Sequence, residues 1–234
     1  MLRSALVLIG LAIAVGALAA DEGAGLQLLL PTGQNGFIED AVYSRQGGLI
    51  LTASAGSSTA VLWQAKSGIR LREFRCGTGS AIRLPLAIAD DTRTALLGCP
   101  DRTVLLVDLH TGAVLHRAGP YGHSIGAVAY SPEAGRIVVV AGEIVLVDLV
   151  ANRIIGRLPG RWAPKNVLLS RSGRCALVWN DNVQVADLQT WQYTSTIENV
   201  RAISTGAIAD DCVTAALSDG EAFTYVIRAH AKIN

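Results

Sequence analysis

Two short patterns recur at nearly the same interval along the chain, and a period near 40 changes the meaning of every residue inside it. The first is an apolar run entering a tight polar turn: Val42-Tyr43-Ser44-Arg45-Gln46-Gly47, Ile88-Ala89-Asp90-Asp91, Ala129-Tyr130-Ser131-Pro132-Glu133-Ala134-Gly135, Leu169-Ser170-Arg171-Ser172-Gly173 and Ile208-Ala209-Asp210-Asp211. Ser44, Ala89, Ser131, Ser170 and Ala209 are equivalent and lie 45, 42, 39 and 39 residues apart. The second is an apolar run through Trp63, Val107, Val147, Ala186 and Tyr225, spaced 44, 40, 39 and 39. Two independent anchors therefore give one register.

Between the anchors, runs of Val, Ile, Leu and Thr are broken by Gly, Asp, Ser or Pro at intervals too short for helices, and no long amphipathic pattern appears. The expected unit is a meander of four short antiparallel strands. Such a sheet cannot bury both faces alone, so neighbouring sheets must stack around an axis. The fold class is all-β, a β-propeller of four-stranded antiparallel blades. Hydrophobic residues make up 50% of the chain and charged ones 17%, which suits sheets buried on both faces and excludes a disordered chain.

Gly122-His123-Ser124 followed by Ala127 to Gly135, and the third-strand segments Thr59-Ala60-Val61-Leu62-Trp63-Gln64 and Thr103-Val104-Leu105-Leu106-Val107-Asp108, resemble the WD40-repeat β-propellers. The resemblance covers nearly all of residues 26 to 234. Trp63 lacks the family's Asp, while Asp108, Asp148 and Asp187 lack its Trp, and one repeat alone keeps Gly-His. The repeats are degenerate, and the hydrogen-bonded tetrad typical of the family is complete in none.

From Gly33 to Asn234 there are 202 residues, or about 40 for each of five blades, against a family period of about 40 to 45. The expected blades are about 33–75, 76–118, 119–159, 160–197 and 198–234. The last stops one strand short, and Leu26-Gln27-Leu28-Leu29-Leu30 is expected to complete it and close a five-bladed ring. An arc of a larger ring, or the N-terminal part of a larger propeller, is the competing arrangement.

Residues 1–19 read as a signal peptide. Arg3 precedes an uncharged run from Ser4 to Ala20 that ends in Ala17-Leu18-Ala19, the small-x-small pattern of a cleavage site. The expectation is a periplasmic or secreted protein over residues 20–234, with an anchor retained at an uncleaved N-terminus as the less favoured case. Lys+Arg number 20 and Asp+Glu 19; losing Arg3 leaves the mature chain neutral. No global field calls for nucleic acid or an anionic membrane surface, and no integral membrane span is expected in the mature form.

The catalytic signals are negative. His110, His116, His123 and His230 show no metal-binding spacing, and there is no haem attachment, nucleophile elbow, phosphate loop or dinucleotide fingerprint. Asp90-Asp91 and Asp210-Asp211 recur at one turn position and read as turn-formers. No catalytic residue, metal or cofactor is expected. The first strand of each blade should line a central channel, with either Glu39, Leu84, Gly126, Lys165 and Ser204 or Asp40, Pro85, Ala127, Asn166 and Thr205 facing it. Either ring suits a water-filled channel more than a dedicated cofactor site, and Glu39 and Asp40 are the candidate ligand-binding groups. Trp162, beside Arg161 in a loop, has the composition of an interface anchor.

These features point to a non-catalytic scaffold or accessory subunit that binds other proteins outside the cytoplasm. The alternative is a cofactor-holding propeller of the quinoprotein type. In an oxidising compartment Cys76, Cys99, Cys175 and Cys212 allow three complete pairings. Cys99 ends a second strand and Cys76 follows a fourth strand, on the same face, so Cys76 to Cys99 is the expected bridge. Cys175 and Cys212, read as lying within second strands of adjacent blades, are the less expected pair, too far apart to bridge unless those strands converge; free buried thiols are the alternative for all four.

Overall fold

The computed structural model describes residues 36–79, 83–89, 91–131, 135–149, 151, 153–159, 164–180, 182–197, 203–212, 214–218 and 225–227. Residues 1–19, expected to be a signal peptide, the segment Leu26 to Leu30, and the Arg161 and Trp162 pair lie outside the described residues.

The described residues are all-β, one antiparallel meander per repeat. The first sheet holds β1 (Asp40–Tyr43), β2 (Leu49–Ser54), β3 (Thr59–Gln64) and β4 (Arg70–Arg75). The second holds β5 (Leu86–Ile88), β6 (Thr94–Gly98), β7 (Val104–Asp108) and β8 (Val114–Ala118). The third holds β9 (Ala127–Ser131), β10 (Arg136–Val140), β11 (Glu143–Asp148) and β12 (Arg153–Pro159), and the fourth β13 (Asn166–Leu169), β14 (Cys175–Trp179), β15 (Val183–Asp187) and β16 (Gln192–Ile197). The fifth shows three described strands, β17 (Ile203–Ile208), β18 (Thr214–Ser218) and β19 (Tyr225–Ile227).

The apolar runs are continuous because both faces of each inner sheet are buried. Along β7, Leu105 and Val107 pack toward the first sheet, while Val104 and Leu106 pack toward the third. Along β10, Ile137 and Val139 face the second sheet and Val138 and Val140 the fourth. Along β14, Ala176 and Val178 face the third sheet, and Cys175, Leu177 and Trp179 the fifth. The two-residue alternation of a strand thus hands each sheet to both its neighbours, as in a propeller. Leu51, Leu97 and Leu105 meet between the first and second sheets at 1% exposure or less, so truncating any of them to Ala should cost about 2 to 5 kcal/mol.

The turn between first and second strands repeats one geometry. Gly47 donates to the Ser44 carbonyl, Thr92 to Ala89, Gly173 to Ser170 and Cys212 to Ala209, at 2.8 to 3.1 Å. The donor residue is left-handed each time, with φ of 71°, 55°, 69° and 64°. The hairpin between third and fourth strands is equally regular. Asp108 Oδ1 accepts from the amides of His110 and Thr111, Asp187 Oδ1 from Gln189 and Thr190, and Asp148 Oδ1 from Ala151. Two residues before the acid, or before Gln64 in the first sheet, the register with the outer strand shifts at Leu62/Trp63, Leu106/Val107, Leu146/Val147 and Val185/Ala186. A bulge at one place in four sheets twists each outer edge away from regular pairing.

Cys76 and Cys99 form a disulfide across the first and second sheets, with Cα atoms 5.1 Å apart. Cys175 and Cys212 form another across the fourth and fifth, at 5.5 Å, which corrects the expectation that they are too distant. The reason is local. Cys212 precedes β18 in the left-handed turn position that Gly47 and Gly173 fill elsewhere. There its side chain leaves the line of the strand and reaches Cys175 at the start of β14.

Candidate functional site

The first strands of successive sheets lie against one another, β1 on β5, β5 on β9, β9 on β13 and β13 on β17. They surround a cavity of about 800 Å³ to which all five contribute. Asp40, Pro85, Ala127 and Asn166 line it, so the second of the two expected rings faces the channel. Glu39 and Leu84 point elsewhere. The Glu39 carboxylate accepts from the Ala55 amide at 2.5 Å, and Leu84 is fully buried between the first two sheets. At Gly126 an added Cβ would come within 2.9 Å of the Pro164 carbonyl, a close approach that only Gly permits. Lys165 belongs to the first ring yet also lines the cavity. The side chains of Ser204 and Thr205 lie outside the described residues.

At the N-terminal ends of the first strands the mouth is organised around Arg83, just before β5. Its Nη1 donates to the Lys165 carbonyl at 2.9 Å, spanning from the second sheet to the fourth. Its Nη2 lies 3.4 Å from Asp40 Oδ2. Asp40 is itself held by backbone: Oδ2 accepts from Leu86 at 3.1 Å and Oδ1 from Ala41 at 3.0 Å. In the amide orientation that satisfies its neighbours, Asn166 accepts from Trp179 Nε1 and donates to the Lys165 carbonyl, both at 3.3 Å. Trp179, and Trp63 on β3, are otherwise core residues.

The opposite mouth carries Tyr43, Arg45, Asp91, Tyr130, Ser170 and Arg171. Burial, and then the Asp91 carboxylate, push the Tyr130 phenol above its ordinary pKa. Of the acidic pairs, Asp91 Oδ1 accepts from the amides of Arg93 and Thr94, and Asp210 Oδ1 from Ser172 of the fourth sheet at 2.7 Å. That Ser172 bond holds the Asp210 carboxyl below the usual range. Asp91 thus shapes its own turn, as expected of the acidic pairs, whereas Asp210 departs from that expectation and ties the fifth sheet to the turn of the fourth. His123 lies against Gly142, where a Cβ would meet its ring. Among the described residues no group of three or more His, Cys, Asp or Glu is placed to hold a metal ion, and no helix is long and apolar enough to cross a membrane.

No protein-family model matches the chain, and no curated protein aligns with it. The repeat register put Asp40 and Asn166 in one candidate ring and Lys165 in the other, and Arg83 in neither. The available signal was its position, a charged residue two before the channel-facing Pro85 of the second repeat.

Proposed function

We propose that the protein is an exported, non-catalytic interaction scaffold: a five-bladed propeller of degenerate WD40-like repeats, closed by Leu26 to Leu30, that serves a protein complex outside the cytoplasm. The observation that carries this reading is the cysteine pattern. All four cysteines are paired and none is free, and such bridges persist in oxidising compartments. Each bridge joins two adjacent blades, so the crosslinks stiffen the relation between blades rather than any one sheet. A rigid display surface needs that stiffness more than a mobile catalytic site does.

The test has two arms. Expressed with its own leader in a bacterial host, the protein should be recovered from the periplasm with Ala20 as its N-terminal residue; recovery in the cytoplasm with Met1 retained would defeat the assignment to export. Trp162→Ala and Arg161→Ala should then weaken co-purification with its partner while leaving far-UV circular dichroism unchanged. The cavity of about 800 Å³ favours one second reading, a cofactor-holding redox propeller. That reading requires visible absorbance in the natively purified protein.

A further inference from the structure

We propose that the cavity mouth bounded by Arg83, Asp40 and Lys165 is a receptor for a small molecule that presents a carboxylate. A guanidinium offers five donors in a planar fork, and its Nε and Nη2 edge matches the two oxygens of a carboxylate. In Arg83, Nη1 is committed to the Lys165 carbonyl. Nη2 stands 3.4 Å from Asp40, an ion-pair distance but a long one for a hydrogen bond. Nε is buried and without a partner. Asp40 does not complete the fork, because the Ala41 and Leu86 amides fix where its oxygens lie. The edge suited to a carboxylate is therefore the edge left unmatched, at the rim of a cavity.

The surroundings specify the ligand further. Lys165 adds a second positive charge at the same mouth, and the described lining carries Arg45, Arg83, Lys165 and Arg171 against Asp40 and Asp91. Asp40 beside the fork disfavours a dianion, so a monoanionic carboxylate fits better than a phosphate. Inward from the mouth the wall turns apolar at Val42, Ala87 and Ala129. About 800 Å³ is ordinary for a small-molecule site. The ligand is thus a carboxylate head on an apolar body, head at Arg83 and body in the channel. Arg83 keeps 32% of its side chain exposed, which leaves its guanidinium within reach of a ligand head at the mouth.

The probe is hexanoate, with the near-isosteric neutral hexanamide and inorganic phosphate as comparisons, titrated into the full mature protein by calorimetry and thermal melting. Hexanoate should bind saturably and raise the melting midpoint, while hexanamide and phosphate do neither. Arg83→Gln and Lys165→Gln should each weaken hexanoate at least tenfold. Arg83 also anchors a backbone carbonyl and its loss could loosen the fold; exposed Lys165 carries no such duty through its ammonium, so K165Q decides the matter on its own. Equal binding of hexanamide, preferential binding of phosphate, unchanged affinity in folded K165Q, or no response to hexanoate would each overturn the assignment.

Discussion

Cys175 and Cys212 are joined across the boundary of the fourth and fifth sheets, at the opposite end of the first strands from the Cys76–Cys99 bridge. Cys99 follows the end of β6, level with the start of β5, whereas Cys175 opens β14 at the end of β13. One staple thus holds the first pair of sheets at the mouth that bears Arg83, and the other holds the last pair at the far mouth. Denatured, unreduced protein should contain no titratable thiol, and peptide mapping should find both pairs. Two free thiols would remove one staple and four would remove both.

The bridges close intervals of 23 and 37 residues, and restricting an unfolded chain to this extent contributes roughly 3 to 4 kcal/mol per bridge when the native geometry is unstrained. Replacing both Cys175 and Cys212 by Ser should lower the free energy of unfolding by that order, read from the denaturant transition, and hasten hydrogen exchange first in the fifth sheet. Uniform exchange across all five sheets would show that the fifth sheet draws no special support from the bridge.

The two repeat anchors made the four-stranded antiparallel repeat and the places of its first and third strands legible from sequence, because period-2 burial on both faces leaves continuous apolar runs between fixed turns. The Cys175 to Cys212 pairing was equally available and was missed for a physical reason. Three residues after each of Ser44, Ala89, Ser170 and Ala209 stands the left-handed residue of the turn, so the alignment already put Cys212 in a turn rather than a strand. The reach of Arg83 was not legible. It ends on the Lys165 carbonyl, 82 residues further along the chain and two sheets away, a relation that no local pattern carries.

Acid should destabilise the hairpins at the ends of the third strands. The Thr111 amide leads the hydrogen bonds that hold Asp108 at a pKa of about 2, against 3.8 for a free Asp. In Asp187, burial acts to raise the pKa, but the Gln189 amide, Arg174 and the Thr190 amide outweigh it and the net direction is down. A depressed folded pKa means stability that is complete above the unfolded value and lost as pH falls toward the folded one. For Asp108 the window runs from 3.8 down to about 2. Asp108→Asn keeps an acceptor for the turn amides and loses the charge facing Arg93, so its stability should fall less steeply across that window. An unchanged slope would place the titrating groups elsewhere.

Gly156 should resist any side chain. It lies on β12 opposite Leu146, beside the bulge, and a Cβ there would overlap the ring of Trp191 from the neighbouring fourth sheet. A rigid indole gives way less readily than the end of a flexible chain, and overpacking of this kind costs about 1 to 3 kcal/mol. Gly156→Ala should lower the melting temperature and shift the Trp191 emission, whereas Gly48→Ala, with open space around it, should leave the emission unchanged. Equal effects from the two would mean that the contact carries no packing cost.

Thr92 holds the turn position that Gly47 and Gly173 hold in other sheets, at a φ of 55°. Other non-glycine residues in left-handed conformations make a specific distant contact. Cys212 bridges to Cys175, Ser58 Oγ donates to the Gly79 carbonyl, and Trp191 covers Gly156. Thr92 is β-branched, the side-chain class that tolerates this backbone least, and such strain costs on the order of 1 to 3 kcal/mol. Against relief of that strain stands the extra freedom Gly gives the unfolded chain, about 0.5 to 1 kcal/mol. Thr92→Gly should therefore stabilise the protein modestly, raising the urea midpoint without changing the slope of the transition. Gly173→Ala, the reverse exchange at the equivalent turn, should lower it. A destabilised Thr92→Gly would mean that Thr92, like Cys212 and Trp191, is retained for a contact its side chain makes.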